Sequence, residues 1–181
     1  MATLFHNVMK DLDELGKNTA KIAMQNVSDE LYDVAKKAID NFYRDYTPGD
    51  HYRKNHPNGP TERPWFYDRT YNLKKSYRKY LKNNGTVYYG GVILSPSYMD
   101  DVYRQPNTQD LIFELTLLSG LHGLDSWEQN YNRPSTPYGI SRPTPIQQVQ
   151  TKYSELKKEL ENGELLSDAY EEARKSSIYF K

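Results

Sequence analysis

The sequence predicts an α+β fold: a long N-terminal helix, an antiparallel β-hairpin or small sheet, and C-terminal helices. Three observations carry that expectation. No proline interrupts residues 8–46, where apolar residues recur in steps of three and four. Two strand-like runs flank Asn83-Asn84-Gly85, a strong hairpin signal. A second helical stripe, Ile146, Val149, Tyr153, Leu156 and Leu160, follows a proline-rich stretch.

The first stripe is Val8, Leu12, Leu15, Ile22, Val27, Leu31, Val34, Ala38 and Phe42. It shifts between Ile22 and Val27, and Gly16 and residues 26–29 are candidate breaks, with Ser28 able to cap a second helix. One long helix or two collinear ones are therefore expected over residues 1–46. About 39 helical residues would span about 58 Å, which suits a wall element in a larger assembly. Pro48 disfavours helical geometry at Thr47 and ends the element.

Residues 47–66 read as an extended loop, punctuated by Pro48, Gly49, Pro57, Gly59, Pro60 and Pro64. Loops of that length in small domains are usually functional arms or disordered. A short helical turn capped by Asp68 or Thr70 should lead into strands at 77–82 and 86–94. Gly90-Gly91 inside the second strand signals a bulge or a close backbone approach. Residues 110–120 read as a short buried helix, 121–145 as a second irregular loop, 146–161 as a helix closed by Asn162-Gly163, and 165–175 as a last helix. The 181 residues form one domain on this reading, with no internal repeat.

Composition narrows the function classes. There is no cysteine, so disulfides, thiolate zinc sites and cysteine nucleophiles are excluded. A cytosolic setting is the simplest expectation. Met1–Lys10 has no long apolar run of the signal-peptide kind, and the stretch near Leu111–Leu118 is too short to span a bilayer. Lys+Arg and Asp+Glu are both 24, giving zero formal charge, which fits life inside an assembly as well as ordinary variation. Tyrosine is over-used, 17 against 5 phenylalanines, as at protein interfaces or in a polar core.

No catalytic, cofactor or metal site is expected. Phosphate loops, dinucleotide fingerprints, nucleophile elbows and zinc-protease motifs are missing from the sequence. His51 and His56 near Asp50 lack closed zinc-ligand spacing. His122 has only Asp125 as a nearby carboxylate partner for acid–base work, so a small hydrolase is the least favoured class.

The basic run Arg69, Lys74, Lys75, Arg78, Lys79 and Lys82 contains no acid and interleaves with Tyr71, Tyr77 and Tyr80. Cations beside stacking rings suit a nucleic-acid backbone. A solvated hairpin face or a lysine-guarded strand edge would use the same residues. Sequence-specific readout is not expected, because no reading motif is visible.

The order of elements, with Arg69-Thr70-Tyr71-Asn72-Leu73-Lys74-Lys75-Ser76 ahead of a hairpin, resembles the tail-completion and head–tail joining (neck) proteins of long-tailed bacteriophages. In that family the motif runs Arg/Asp-Thr-Gly-x-Leu-x-x-Ser; Arg69, Thr70, Leu73 and Ser76 match, and Tyr71 stands at the glycine. The resemblance covers about residues 8–100. It implies a non-enzymatic virion protein, made in the host cytoplasm, that forms a homo-oligomeric ring, often a hexamer, in the neck. Other neck and tail proteins would be its partners, DNA would pass through the lumen past the basic segment, and no membrane or cofactor would be involved. Loops 47–66 and 121–145 would be arms gripping neighbours. A non-sequence-specific nucleic-acid-binding accessory protein is the alternative.

Overall fold

A computed structural model describes residues 2–45, 72–85, 87–99, 113 and 143–176. The described elements are α1 (Ala2–Asp45), a 3-10 turn (Asn72–Lys75), β1 (Tyr77–Asn83), β2 (Tyr88–Leu94), a second 3-10 turn (Pro96–Tyr98), α2 (Pro145–Glu161) and α3 (Glu164–Ser176). This is the α+β order expected, with β1 and β2 forming a two-stranded antiparallel sheet. Loop 47–66, Asp68, Thr70, all of 110–120 except the helical Phe113, and nearly all of 121–145 lie outside the described residues.

α1 is one continuous helix of 44 residues, without the breaks considered at Gly16 and residues 26–29. Ser28 does not cap a second helix. It is fully buried, and its Oγ reaches the Met24 carbonyl at 2.7 Å and the Tyr80 carbonyl at 3.0 Å. A hydroxyl that bonds back to the preceding turn can sit inside a helix, so the cap signal was satisfied by other partners.

The hairpin keeps one register throughout. Asn84 N–H donates to the Val87 carbonyl, Tyr80 lies across from Gly91, and Ser95 N–H donates to the Ser76 carbonyl at 2.7 Å. No bulge falls at Gly90-Gly91; the close approach does. A Cβ on Gly90 would stand 2.5 Å from Ser28 Oγ and closer still to the Met24 carbonyl oxygen. Asn84 is the last paired residue, so Gly85 is the first residue of the turn itself; it takes φ +103°, and Asn83 and Asn84 side-chain oxygens accept from the N–H groups of Gly85 and Val87.

α2 opens on a capping box. Thr144 Oγ1 accepts from Gln147 N–H at 3.3 Å, Gln147 Oε1 accepts from Thr144 N–H at 2.8 Å, and Pro145 sits at the first helical position. Gly163, at φ +82°, takes the left-handed turn between α2 and α3.

The chain divides into two compact units. The first comprises residues 1–33, 79–93 and 150–181. Its buried apolar side chains are Leu15, Ala23, Val27, Leu31, Leu156, Ala169 and Ala173. The second comprises residues 34–78 and 94–149. Ala35, Ala38, Ile39, Phe42, Leu73, Tyr77, Met99 and Val149 form its buried set.

Candidate assembly surface and basic segment

In the second unit, the family-like motif builds the approach to β1. Leu73 is buried, and the fully buried Ser76 donates through both its N–H and its Oγ, at 3.1 and 2.7 Å, to the Leu73 carbonyl. The serine hydroxyl thus ties the 3-10 turn to the strand that follows. Lys74 Nζ lies 2.6 Å from Asp40, and Asp40 also receives Lys36 at 3.2 Å. The Lys74 hydrogen bond, set against some desolvation, holds the Asp40 carboxyl below the ordinary aspartate value. Arg78 stacks over the Tyr98 ring, 4.2 Å from its centroid, a cation–π geometry. Lys75 is exposed.

In the first unit, Lys79 pairs with Asp29 and Lys82 is exposed. The Tyr80 ring covers Gly91, where an added Cβ would meet its atoms at 3.1–3.3 Å. Lys152 Nζ lies 2.6 Å from Glu30, and that hydrogen bond raises the lysine above its ordinary value. Of the six basic residues singled out, Lys74, Lys75 and Arg78 thus belong to the second unit and Lys79 and Lys82 to the first. Arg69 lies outside the described residues.

Pattern reading missed the two acids that pair with Lys74 and Lys79. Asp40 and Asp29 are remote from those lysines in sequence. Their only advance signal is their separation, eleven residues or about three helical turns.

Among the described residues, the first unit also carries a set of apolar side chains that are substantially exposed. Val8, Met9 and Leu12 continue the α1 stripe past its buried part, at 48%, 52% and 49% exposure. Leu81, Val87, Tyr89 and Ile93 on the hairpin, and Tyr153, Leu166 and Tyr170 on α2 and α3, are exposed as well. Single exposed apolar residues are ordinary; the uneven distribution is the finding, because all ten of these side chains lie in the first unit.

Among the described residues no three His, Cys, Asp or Glu side chains group as metal ligands. His51, His56 and His122 lie outside them, as does the side chain of His6. No described helix is long and apolar enough to cross a membrane. Compared with known proteins, the chain matches no family model, no curated protein and no solved structure.

Proposed function

We infer that this chain is a structural subunit of a phage neck, a tail-completion or head–tail joining protein that assembles with copies of itself into a ring around passing DNA. The supporting observation is the run Arg69 to Ser76 between a long helix and a hairpin, the arrangement that resembles that family. Its described members have clear work to do: Leu73 and Ser76 are buried and hold the turn before β1. The exposed apolar side chains described in the first unit support a life in contact with other subunits. The work on this reading is mechanical, done through packing without a reacting group. Light scattering tests it: purified chain, alone and with portal-side and tail-tube proteins of a long-tailed phage, should give a discrete ring-sized species. A strict monomer in both samples would refute the reading.

Exposed Lys82 favours DNA contact as a second, compatible property. The pairing of Lys74 and Lys79 with carboxylates weakens it, since those two charges are already neutralised. Duplex binding that falls steeply with salt, and falls further in a Lys82→Ala chain, is the expected signature; no binding at low salt removes it.

A further inference from the structure

The hairpin treats its two edges differently. β1 carries Arg78, Lys79 and Lys82, whereas β2 has no charge and no proline over its seven residues. Lysine and arginine on an edge discourage pairing with a like strand, because like charges come opposite one another. β2 has no such guard, and among the described residues the sheet stops there. In the observed register, Asn84 pairs with Val87 and Tyr80 faces Gly91. Alternation then turns the N–H and C=O groups of Tyr88, Gly90, Val92 and Leu94 away from β1. None of these groups bonds to a described backbone group outside the hairpin.

We propose that this edge pairs with β2 of a second copy, antiparallel, about a two-fold axis at Gly91. Centred there, Gly90 comes opposite the partner's Val92 and Tyr88 opposite the partner's Leu94. These are the residues whose backbone groups face outward, so donors and acceptors meet in phase. Tyr89 comes opposite the partner's Ile93 in the non-hydrogen-bonded position, where facing Cα atoms stand about 4.5 Å apart. Both side chains are exposed in the single chain, 48% and 37%, and an aromatic beside a β-branched residue is a favourable cross-strand pair. Gly91 meets Gly91, which leaves the Tyr80 ring in place over it. A shift by one residue puts the outward backbone groups out of phase. A shift by two sets Tyr89 or Ile93 against Gly91 and loses the side-chain pair. Zero formal charge adds no long-range repulsion between copies. The contact is isologous and forms whether or not the chain also closes a ring, so its failure would leave the neck reading standing.

The chain has no cysteine, so introduced thiols report the register. Tyr89→Cys and Ile93→Cys proteins are oxidised under native conditions, each alone and mixed one to one. In the proposed register a thiol at 89 faces one at 93 within disulfide reach, whereas two thiols at 89 stand about 13 Å apart along the strands. The expected result is at least about tenfold more linked dimer in the mixture than in either protein alone. Equal linkage in the single samples, or none anywhere, overturns the proposal. Val92→Pro removes one outward N–H and leaves the β1 ladder intact, so the sedimenting species should have half the wild-type mass, with unchanged circular dichroism. Should that chain fail to fold, Ile93→Lys, on the face away from α1, takes its place. A variant that remains as dimeric as wild type, or a wild-type chain that is monomeric up to its solubility limit, also overturns the proposal.

Discussion

The two units bury side chains equally well and differ in what they leave outside. Leu156 in the first and Phe42 in the second are both 1% exposed, so each has a well-covered centre. Yet every large apolar side chain that is exposed among the described residues belongs to the first unit: Val8, Met9 and Leu12 on α1, four on the hairpin and three on α2 and α3. On the described surface of the second unit, Lys36, Asp40 and Lys74 are linked and Arg78 lies on Tyr98. The difference separates two demands that a single composition figure merges. A hydrophobic fraction of 36% is enough to fill both centres and still leave apolar residues outside one of them. Low hydrophobicity here does not mean a poor core; it coexists with apolar side chains left exposed among the described residues.

The comparison breaks most decisively at its centres. Phe42→Ala should cost about 3–5 kcal/mol and Leu156→Ala about 2–5 kcal/mol, read from denaturant midpoints. Hydrogen exchange on the same proteins shows whether each loss stays in its own unit; protection lost equally from both would mean that they unfold together.

Two glycines of α1 and β2 give the next largest contrast, and with opposite signs. Gly90→Ala forces a methyl group against Ser28 Oγ and the Met24 carbonyl, and should cost about 3 kcal/mol because backbone cannot give way as a side chain can. Gly16→Ala meets nothing within 4 Å and lies inside a helix, so it should raise stability by about 1 kcal/mol. A destabilised Gly16→Ala chain would mean that another backbone packs there.

Smaller effects follow pH. Lys74 holds Asp40 below the ordinary aspartate value, so the pair's contribution is complete above that value and fades as pH falls through the lowered one. Glu30 raises Lys152, so that contribution is complete below the ordinary lysine value and fades as pH rises through the raised one. Acid should therefore weaken the second unit's pair and alkali the first unit's. Both pairs are partly exposed, and each should be worth less than about 1 kcal/mol. Melting temperatures of Asp40→Asn should converge on wild type only in acid, and those of Lys152→Met only in alkali.

The smallest change in stability should come from Val8→Ser with Leu12→Ser, within about 0.5 kcal/mol for the isolated chain. Concentration-dependent association should nevertheless fall. A large stability loss would mean that this part of α1 is covered after all.

Much of the fold was legible, because its signals are local. The stripe from Val8 to Phe42, the Asn84-Gly85 turn and the Asn162-Gly163 stop each describe neighbours in the chain. Thr144-Pro145-Ile146-Gln147 was also readable as a capping box, and overlooking it placed the start of α2 one residue late. Ser28 misled because a buried hydroxyl and a helix cap look alike in sequence; only the arrival of Tyr80 from 52 residues away tells them apart. The basic segment looked like one cationic surface for the same reason. Asp29 and Asp40 come to Lys79 and Lys74 through tertiary folding, which no local pattern encodes.

The first unit draws on three stretches of chain, the last beginning at residue 150. A polypeptide emerging from a ribosome displays α1 and the hairpin long before α2 and α3 exist to complete that unit. During that interval the uncharged strand β2 is at its most vulnerable to the wrong partner. Synthesis in crowded polysomes should therefore make this chain a client of holding chaperones, and truncation before residue 150 should yield inclusion bodies in place of a smaller soluble domain.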